Sequence, residues 1–177
     1  MNMNFQLLLD LVLLLMVVIA AITDLAIRKI PNKLLLAAVC ALLGLHLMHP
    51  ASTSVLSALG GAAIGFALFL PLYALRGMAA GDVKLMATVG LFLGPAQTLH
   101  ACILTWCVGG VMALAIILFT GRWSAAYNNL RNLLLPALLR MGPPPQGAPA
   151  RESVGSMPYG LAIALSTLWL LAQRHHA

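Results

Sequence analysis

Residues 5–27 of the chain read FQLLLDLVLLLMVVIAAITDLAI, and their only charged side chains are Asp10 and Asp24. A helix needs about 20 consecutive apolar residues to cross the hydrocarbon core of a bilayer. This stretch therefore predicts a transmembrane helix. No Lys or Arg precedes the apolar run and no convincing cleavage site of small residues follows it, so the pattern favours a retained helix over a signal peptide.

The composition of the whole chain has the same character. Of its 177 residues, 62% are hydrophobic and 8% are charged, whereas soluble domains carry about 25% charged residues. Mean hydropathy is +0.97. This composition excludes a soluble globular domain. The net charge of +6 does not indicate nucleic-acid binding, because the basic residues form no dense patch.

Six hydrophobic segments are separated by polar breaks. They cover residues 5–27, 34–48, 55–75, 83–99, 101–119 and 159–172. The predicted fold is an all-α integral membrane protein, a six-transmembrane-helix bundle that forms a single membrane-embedded domain over residues 1–177. Gly61 and Gly65, like Gly90 and Gly94, have the GxxxG spacing that lets helix backbones approach closely.

The basic residues predict the orientation of the bundle. Nine of the ten Lys and Arg residues fall on one side, eight of them in the first, third and fifth connections and Lys84 at the start of the fourth segment, and only Arg174 falls on the opposite side. By the positive-inside rule, these three connections face the cytoplasm and both termini face outward. We therefore expect a multi-pass protein in which the helix ends that carry Asp24 and Asp82 lie at the cytoplasmic face.

The fifth connection, residues 120–158, has two parts. Residues 122–140 carry apolar side chains at helical spacing and predict a helix that lies in the membrane interface. Residues 142–156 are rich in Pro and Gly and predict a linker. A substrate-docking helix and a plain surface connector fit the amphipathic pattern equally well.

Two of the four acidic residues are candidates for chemistry. Asp24 falls in the last turn of the first segment and Asp82 at the start of the fourth, so the topology brings both to the same membrane level. Two neighbouring recessed carboxylates share a proton and can act as general base and general acid. The alternatives are a helix N-cap for Asp82 and an ion pair between Asp24 and Arg28. Asp10 is expected to be solvated at the outer interface, and Glu152 to be a surface charge.

The cysteines and histidines favour structural roles. Cys40, Cys102 and Cys107 fall in apolar runs and form no C-x-x-C pair, so they indicate neither disulfides nor a zinc ribbon. The five histidines fall on the predicted outer side, without a carboxylate or cysteine that would complete a metal site. We therefore expect no metal ion and no cofactor.

Three motifs carry a resemblance to a known family. Residues 21–32, AITDLAIRKIPN, place Asp24 before a short basic stretch that ends in Ile-Pro-Asn, and residues 77–86, GMAAGDVKLM, place Asp82 in Gly-Asp-Val-Lys-Leu. Residues 157–162, MPYGLA, open the last segment with Pro-aromatic-Gly. In this order and combination, the chain resembles the type IV prepilin peptidases, membrane aspartic proteases of the G-x-G-D type, over nearly its whole length.

The resemblance implies a bacterial inner-membrane enzyme. Its substrate would be a prepilin or pseudopilin precursor, cut after its basic leader at the cytoplasmic face, with Asp24 and Asp82 activating a water molecule. Lys84 would tune the Asp82 pKa, orient the leader, or simply extend to the interface. The other expected site residues are Pro31, Asn32, Ala79 and Gly81 as support, and Pro158, Tyr159 and Gly160 at the substrate.

The chain also departs from the family pattern. Ala79 replaces the first glycine of G-x-G-D, and alanine takes a positive φ less readily than glycine, so the loop could be set differently. The paired C-x-x-C motifs of longer, N-methylating relatives do not occur, which resembles the short Flp/Tad-type branch without methyltransferase activity.

Three other interpretations remain open. The protein could be a membrane transporter or pilus-assembly subunit that binds protons on its acids, a broader intramembrane aspartyl protease, or a family member inactivated by Ala79. The sequence identifies neither the precursor nor the oligomeric state.

Overall fold

A computed structural model describes residues 3–48, 54–75, 77–121, 123 and 157–176, and within them the chain is helical, with no strand. The predicted interfacial helix and linker, Trp123 apart, lie outside the described residues. The helices are α1 (Met3–Ile27), α2 (Asn32–Met48), α3 (Val55–Ala74), α4 (Ala80–Leu93), α5 (Pro95–Thr120) and α6 (Tyr159–His176).

The chain divides into two compact units. The first combines residues 1–109 with 158–177, and the second consists of residues 110–157. All contacts discussed below lie within the first unit. That the whole chain forms one domain stays a prediction.

Three of the described helices are long and apolar enough to cross a membrane. They are Phe5–Ile27, Val55–Ala74 and Pro95–Thr120. These helices indicate a membrane protein and confirm the all-α fold class. The 14 residues of α4 extend about 21 Å at 1.5 Å per residue, less than a hydrocarbon core of about 30 Å. The prediction of six spans therefore stays a prediction.

The predicted boundary between the fourth and fifth segments is wrong. The chain breaks at Gly94 instead of His100, because Gly94 takes a φ of +74°, a left-handed value that glycine adopts without steric cost. Pro95 then begins α5, in the first helical turn, where a missing N–H removes no hydrogen bond of the helix. At its other end α4 begins at Ala80, three residues before the predicted start, so Asp82 lies inside the helix.

Helices α3 and α4 pack backbone against backbone. A Cβ built on Gly61 would lie 2.1 Å from the carbonyl oxygen of Gly90, and one on Gly65 would lie 2.7 Å from that of Met86. Only glycine fits at such distances, as the GxxxG spacing predicts. This contact holds the α4 axis, and the Asp82 it carries, against α3.

Helix α1 packs against α6 through a buried apolar face. Leu13, Val17 and Ala20 of α1 are fully buried, as are Ala162 and Ile163 of α6. Ser166 of α6 also forms a 2.5 Å hydrogen bond with Thr105 of α5. Helix α6 is thereby joined to both α1 and the first half of α5.

We expect Gly61→Ala to destabilise the protein. The added methyl group overlaps the Gly90 carbonyl and forces the helices apart, and overpacking of this kind typically costs about 1–3 kcal/mol. Gly44→Ala is the matched control, because a Cβ at Gly44 of α2 meets nothing within 4 Å. Thermal unfolding of the detergent-solubilised proteins measures both effects. Equal midpoints for the two variants would contradict the close α3–α4 contact.

Candidate active site

Two buried aspartates lie at one end of the first unit. Asp24 is in the last turn of α1 and is 7% exposed, and Asp82 is in the first turn of α4 and is 5% exposed. The two are 58 positions apart in the sequence. Both need hydrogen-bond donors, because a buried carboxylate without partners is costly.

The donor for Asp24 comes from the start of α6. The backbone N–H of Gly160 donates to Asp24 Oδ2 at 2.8 Å. Gly160 lies in the first turn of α6, where N–H groups have no partner within the helix and favour a negative charge. A Cβ on Gly160 would lie 2.8 Å from the same oxygen and 3.1 Å from Asp24 Cγ, so the position accepts only glycine. Gly160, predicted at the substrate, thus contacts a predicted catalytic residue.

Arg28 does not neutralise Asp24. Among the described residues the structure shows no ion pair between them; instead the backbone N–H of Arg28 donates to the Asp24 carbonyl oxygen at 3.0 Å. Arg28 is exposed and takes a φ of +54°, which ends α1. The predicted alternative of an Asp24–Arg28 ion pair is therefore wrong.

Asp82 stabilises the start of its own helix. The N-cap of α4 is Ala79, and the backbone N–H of Ala79 donates to Asp82 Oδ2 at 3.1 Å. This is the contact that an acidic residue at the third helical position makes in a capping box. The alternative of Asp82 as the N-cap itself is wrong by three positions.

The two carboxylates also interact electrostatically. Asp82 lies outside the three candidate spans, and its pKa is raised to about 6. Burial is the largest cause of this rise; the hydrogen bond from the Ala79 N–H lowers the pKa in part, and the charge of Asp24 raises it. Burial, and then the charge of Asp82, raise the pKa of the Tyr159 phenol at the start of α6. The ends of α1, α4 and α6 therefore meet around one pair of acids.

Ala79 does not distort the loop before Asp82. Its φ of −82° and ψ of 154° are ordinary extended values, open to any residue. The expectation that an alanine here sets the loop differently is wrong, because this position needs no positive φ. Gly81 has no steric requirement for glycine either, since a Cβ would make an ordinary 3.4 Å contact with Ile30 Cβ.

The Ile-Pro-Asn and Gly-Asp-Val-Lys motifs meet beside the acids. Pro31 precedes α2 and its carbonyl oxygen accepts the Leu34 N–H at 3.0 Å, so the helix begins at Asn32, two residues before the predicted start. Lys84 Nζ donates to Asn32 Oδ1 at 3.4 Å. Lys84 thus links α4 to α2.

A groove of about 560 Å³ begins at this link. Lys33 and Lys84 border it, and its floor is mostly apolar, formed by residues of α2, α3 and α4 that include Leu36, Val39 and Phe66. An apolar floor next to a polar pair is the usual form of a binding site. Pro158, predicted at the substrate, is instead buried at the start of α6.

The structure corrects the expectation for Asp10. This residue is 6% exposed, and its Oδ1 accepts a 2.7 Å ion pair from Arg174 Nη1 of α6 and a 3.2 Å hydrogen bond from Gln6 Nε2. It is therefore a buried, paired charge and not a solvated one. The sequence analysis predicted neither this ion pair nor the hydrogen bond from the Gly160 amide. A signal was present, because Asp10 and Asp24 are 14 positions apart, and so are Gly160 and Arg174.

Comparison with known proteins fits this geometry. A family model described as the type IV leader peptidase family matches residues 11–114, which include both aspartates. The chain belongs to this family. It is 34% identical over 110 residues to a Bacillus subtilis (strain 168) protein named prepilin leader peptidase/N-methyltransferase. The match covers 60% of this chain but only 43% of that relative. No solved structure matches the chain significantly.

The Ala79→Gly variant tests whether the backbone at the first position of the G-x-G-D motif is strained by alanine in this family member. Because φ is negative there, glycine gains nothing in the folded state and adds freedom to the unfolded chain. We therefore expect Ala79→Gly to lower the free energy of unfolding by about 0.4–1 kcal/mol. Denaturant titration in detergent measures it. Stabilisation by glycine would show that the position is strained.

The titration of Asp82 tests the interaction between the acids. In protein labelled with ¹³C-aspartate, the chain's three aspartates give three carboxyl signals, and the one lost in Asp82→Asn identifies Asp82. We expect a midpoint near pH 6, which Asp24→Asn lowers because a neighbouring negative charge is removed. Thr23→Val, next to Asp24 but leaving its charge, is the control. An unchanged midpoint in Asp24→Asn would show that the carboxylates do not interact.

Proposed function

We propose that the protein is a membrane aspartic endopeptidase that removes the basic leader from prepilin or pseudopilin precursors, without a cofactor. The observation that carries this proposal is the interaction of Asp24 with Asp82 across 58 positions of sequence. Family membership and the name of the Bacillus subtilis relative support the substrate class.

The chemistry follows from a carboxyl pair that holds one proton. The ionised member takes a proton from water, and the resulting hydroxide attacks the scissile carbonyl carbon, while the protonated member donates to the carbonyl oxygen. When the tetrahedral intermediate collapses, the C–N bond breaks and a proton passes from the pair to the leaving amine. No covalent intermediate with the enzyme forms. The two groups titrate as a pair, so the resting proton belongs to both.

The hydrogen-bond donors prepare the pair for this role. The Gly160 N–H holds one oxygen of Asp24, and the Ala79 N–H holds one oxygen of Asp82. Each contact fixes the orientation of a carboxylate, and fixed orientation is a large part of catalysis by positioned groups. The raised pKa of Asp82 keeps a proton available at a pH where an exposed aspartate is fully ionised.

Charge favours one orientation of the substrate. A basic leader is repelled by Lys33 and Lys84 at the border of the groove, whereas the hydrophobic segment that follows the leader matches the apolar floor. We place that segment in the groove and the leader on the far side of the aspartates. Tyr159, half-buried beside Asp82, is the site residue of α6 placed to contact the cleaved region.

The membrane arrangement belongs to the same proposal. The end of the first unit that carries Asp24 and Asp82 faces the cytoplasm of a bacterial inner membrane, and both termini face outward, as the distribution of Lys and Arg predicts. The three cysteines form no C-x-x-C pair, which is the basis for proposing a short Flp/Tad-type peptidase without methyltransferase activity.

The main alternative is a transporter or assembly subunit that binds protons. A proton relay needs acids at several depths. Asp24 and Asp82 instead meet at one end, and Asp10 is neutralised by Arg174. The geometry therefore favours the peptidase.

Replacing an aspartate of the Asp24–Asp82 pair, here called the dyad, by its isosteric amide tests its role. A candidate prepilin precursor is co-expressed with wild type, Asp24→Asn, Asp82→Asn, the double variant or Thr23→Val at matched membrane levels. Removal of the leader is measured by mass spectrometry of the precursor. We expect each single amide to slow cleavage by about 10²-fold or more, and the double variant to be no slower, because the pair acts as a unit.

Thr23→Val controls for a change of polarity in the same turn of α1. The Thr23 hydroxyl bonds only to the carbonyl oxygens of Ile19 and Ala20 among the described contacts, so we expect parental cleavage. Normal cleavage by either single amide would contradict the dyad. Proton-driven uptake without cleavage would favour the transporter.

A further inference from the structure

Helices α1 and α6 run antiparallel and are joined by polar contacts near both ends. At one end the Gly160 N–H donates to Asp24, and at the other Arg174 pairs with Asp10. Asp10 and Asp24 are 14 positions apart, and so are Gly160 and Arg174. Each interval corresponds to about 21 Å of helix. The two contacts therefore belong to a single register of one helix against the other.

The contact between Arg174 and Asp10 is part of a largely buried polar cluster. Arg174 Nη1 lies 2.7 Å from Asp10 Oδ1, and the two side chains are 20% and 7% exposed. The second guanidinium nitrogen, Nη2, donates to Gln97 Oε1 of α5, and Gln6 also donates to Asp10. Arg174 thus ties α6 to α1 and α5 at once, with the planar, directional geometry of a guanidinium.

The packing between the two contacts is formed by apolar side chains such as Leu13 and Val17 of α1 and Ile163 of α6. Apolar burial is non-directional, so it distinguishes one register from a neighbouring one less sharply than a directional guanidinium–carboxylate pair does. A slide of one turn, about 5.4 Å, would remove the Gly160 amide from Asp24 and carry Tyr159 away from Asp82.

We propose that Arg174 and Asp10, with Gln97, are positioning residues for the proposed active site. They lie about 21 Å along the helices from the dyad and do not touch the substrate. Their ion pair fixes the axial position of α6, and this position delivers the Gly160 N–H to Asp24. The inference rests on the proposed function for its catalytic consequence, but the register can be tested without it.

The kinetic test compares Arg174→Gln, Arg174→Lys and the charge reversal Asp10→Arg/Arg174→Asp in detergent-solubilised protein with a precursor peptide. We expect Arg174→Gln to lower kcat by about tenfold to 10²-fold, the range of a small misplacement of catalytic groups. We expect KM to stay within about twofold, because the substrate surface is unchanged. Arg174→Lys and the charge reversal should each recover part of kcat. Gln173→Ala, an exposed neighbour, should match the parent.

A second readout follows the register directly. In protein labelled with ¹⁵N-glycine, the Gly160 amide proton should exchange at least tenfold faster in Arg174→Gln, and the charge reversal should restore slow exchange. Gly90, in the α3–α4 contact, is the internal reference. Loss of protection at both glycines means that the variant is unfolded, and the charge reversal then decides: restored protection at both supports the proposal, and its failure overturns it.

The two readouts separate the possible failures. Unchanged Gly160 exchange in folded Arg174→Gln overturns the proposed register. Faster exchange with parental kcat, or a loss that falls on KM alone, overturns the link to catalysis. If the parent protein cleaves no precursor, the proposed function fails. The hydrogen-exchange measurement on the Gly160 amide still decides whether Arg174 sets the position of Gly160.

Discussion

A negative charge inside an apolar bundle must be met by a donor, and the structure around the candidate site depends on how this chain supplies one to Asp24. The donor is the backbone N–H of Gly160, which the first turn of α6 leaves without a helical partner. Glycine is required there because a side chain would occupy the carboxylate's place. This single contact brings the start of α6 to the end of α1, and with it Tyr159 to the neighbourhood of Asp82. The third motif of the sequence thus completes the pair formed by the other two.

Helix α4 is held by a different kind of contact. Its backbone lies directly on α3 at Gly61 and Gly65, so the position of its first turn follows from steric exclusion rather than from charge. Asp82 then satisfies the start of α4 through the Ala79 N–H while it stays buried beside Asp24. One aspartate is positioned by a neighbouring helix and the other by its own. The site therefore needs the motif that contains Gly160 as well as the two motifs that carry the aspartates.

Hydrophobic segmentation predicted the all-α fold and located six described helices to within a few residues at most of their ends. It ran the fourth segment on to Leu99 and took Gly94-Pro95-Ala96-Gln97 only as a bend late in that segment, whereas α4 ends at Leu93 and Pro95 begins α5. It also placed Asp10 in solvent, since its partner Arg174 lies in a helix 164 positions away. The two aspartates could be chosen from sequence because charged residues are so few. The role of Gly160 could not, because a backbone amide leaves no signature in the residue type beyond the glycine itself.

The dependence of Asp24 on α6 has a consequence for the newly made protein. Residues 159–176 leave the ribosome after α1 to α5, so a nascent chain that ends before Gly160 holds both aspartates but lacks the amide that orients one of them. The hydrogen bond to Asp24 can form only after the start of α6 has been made. The geometry of this pair of acids is therefore established late in the synthesis of the residues described here.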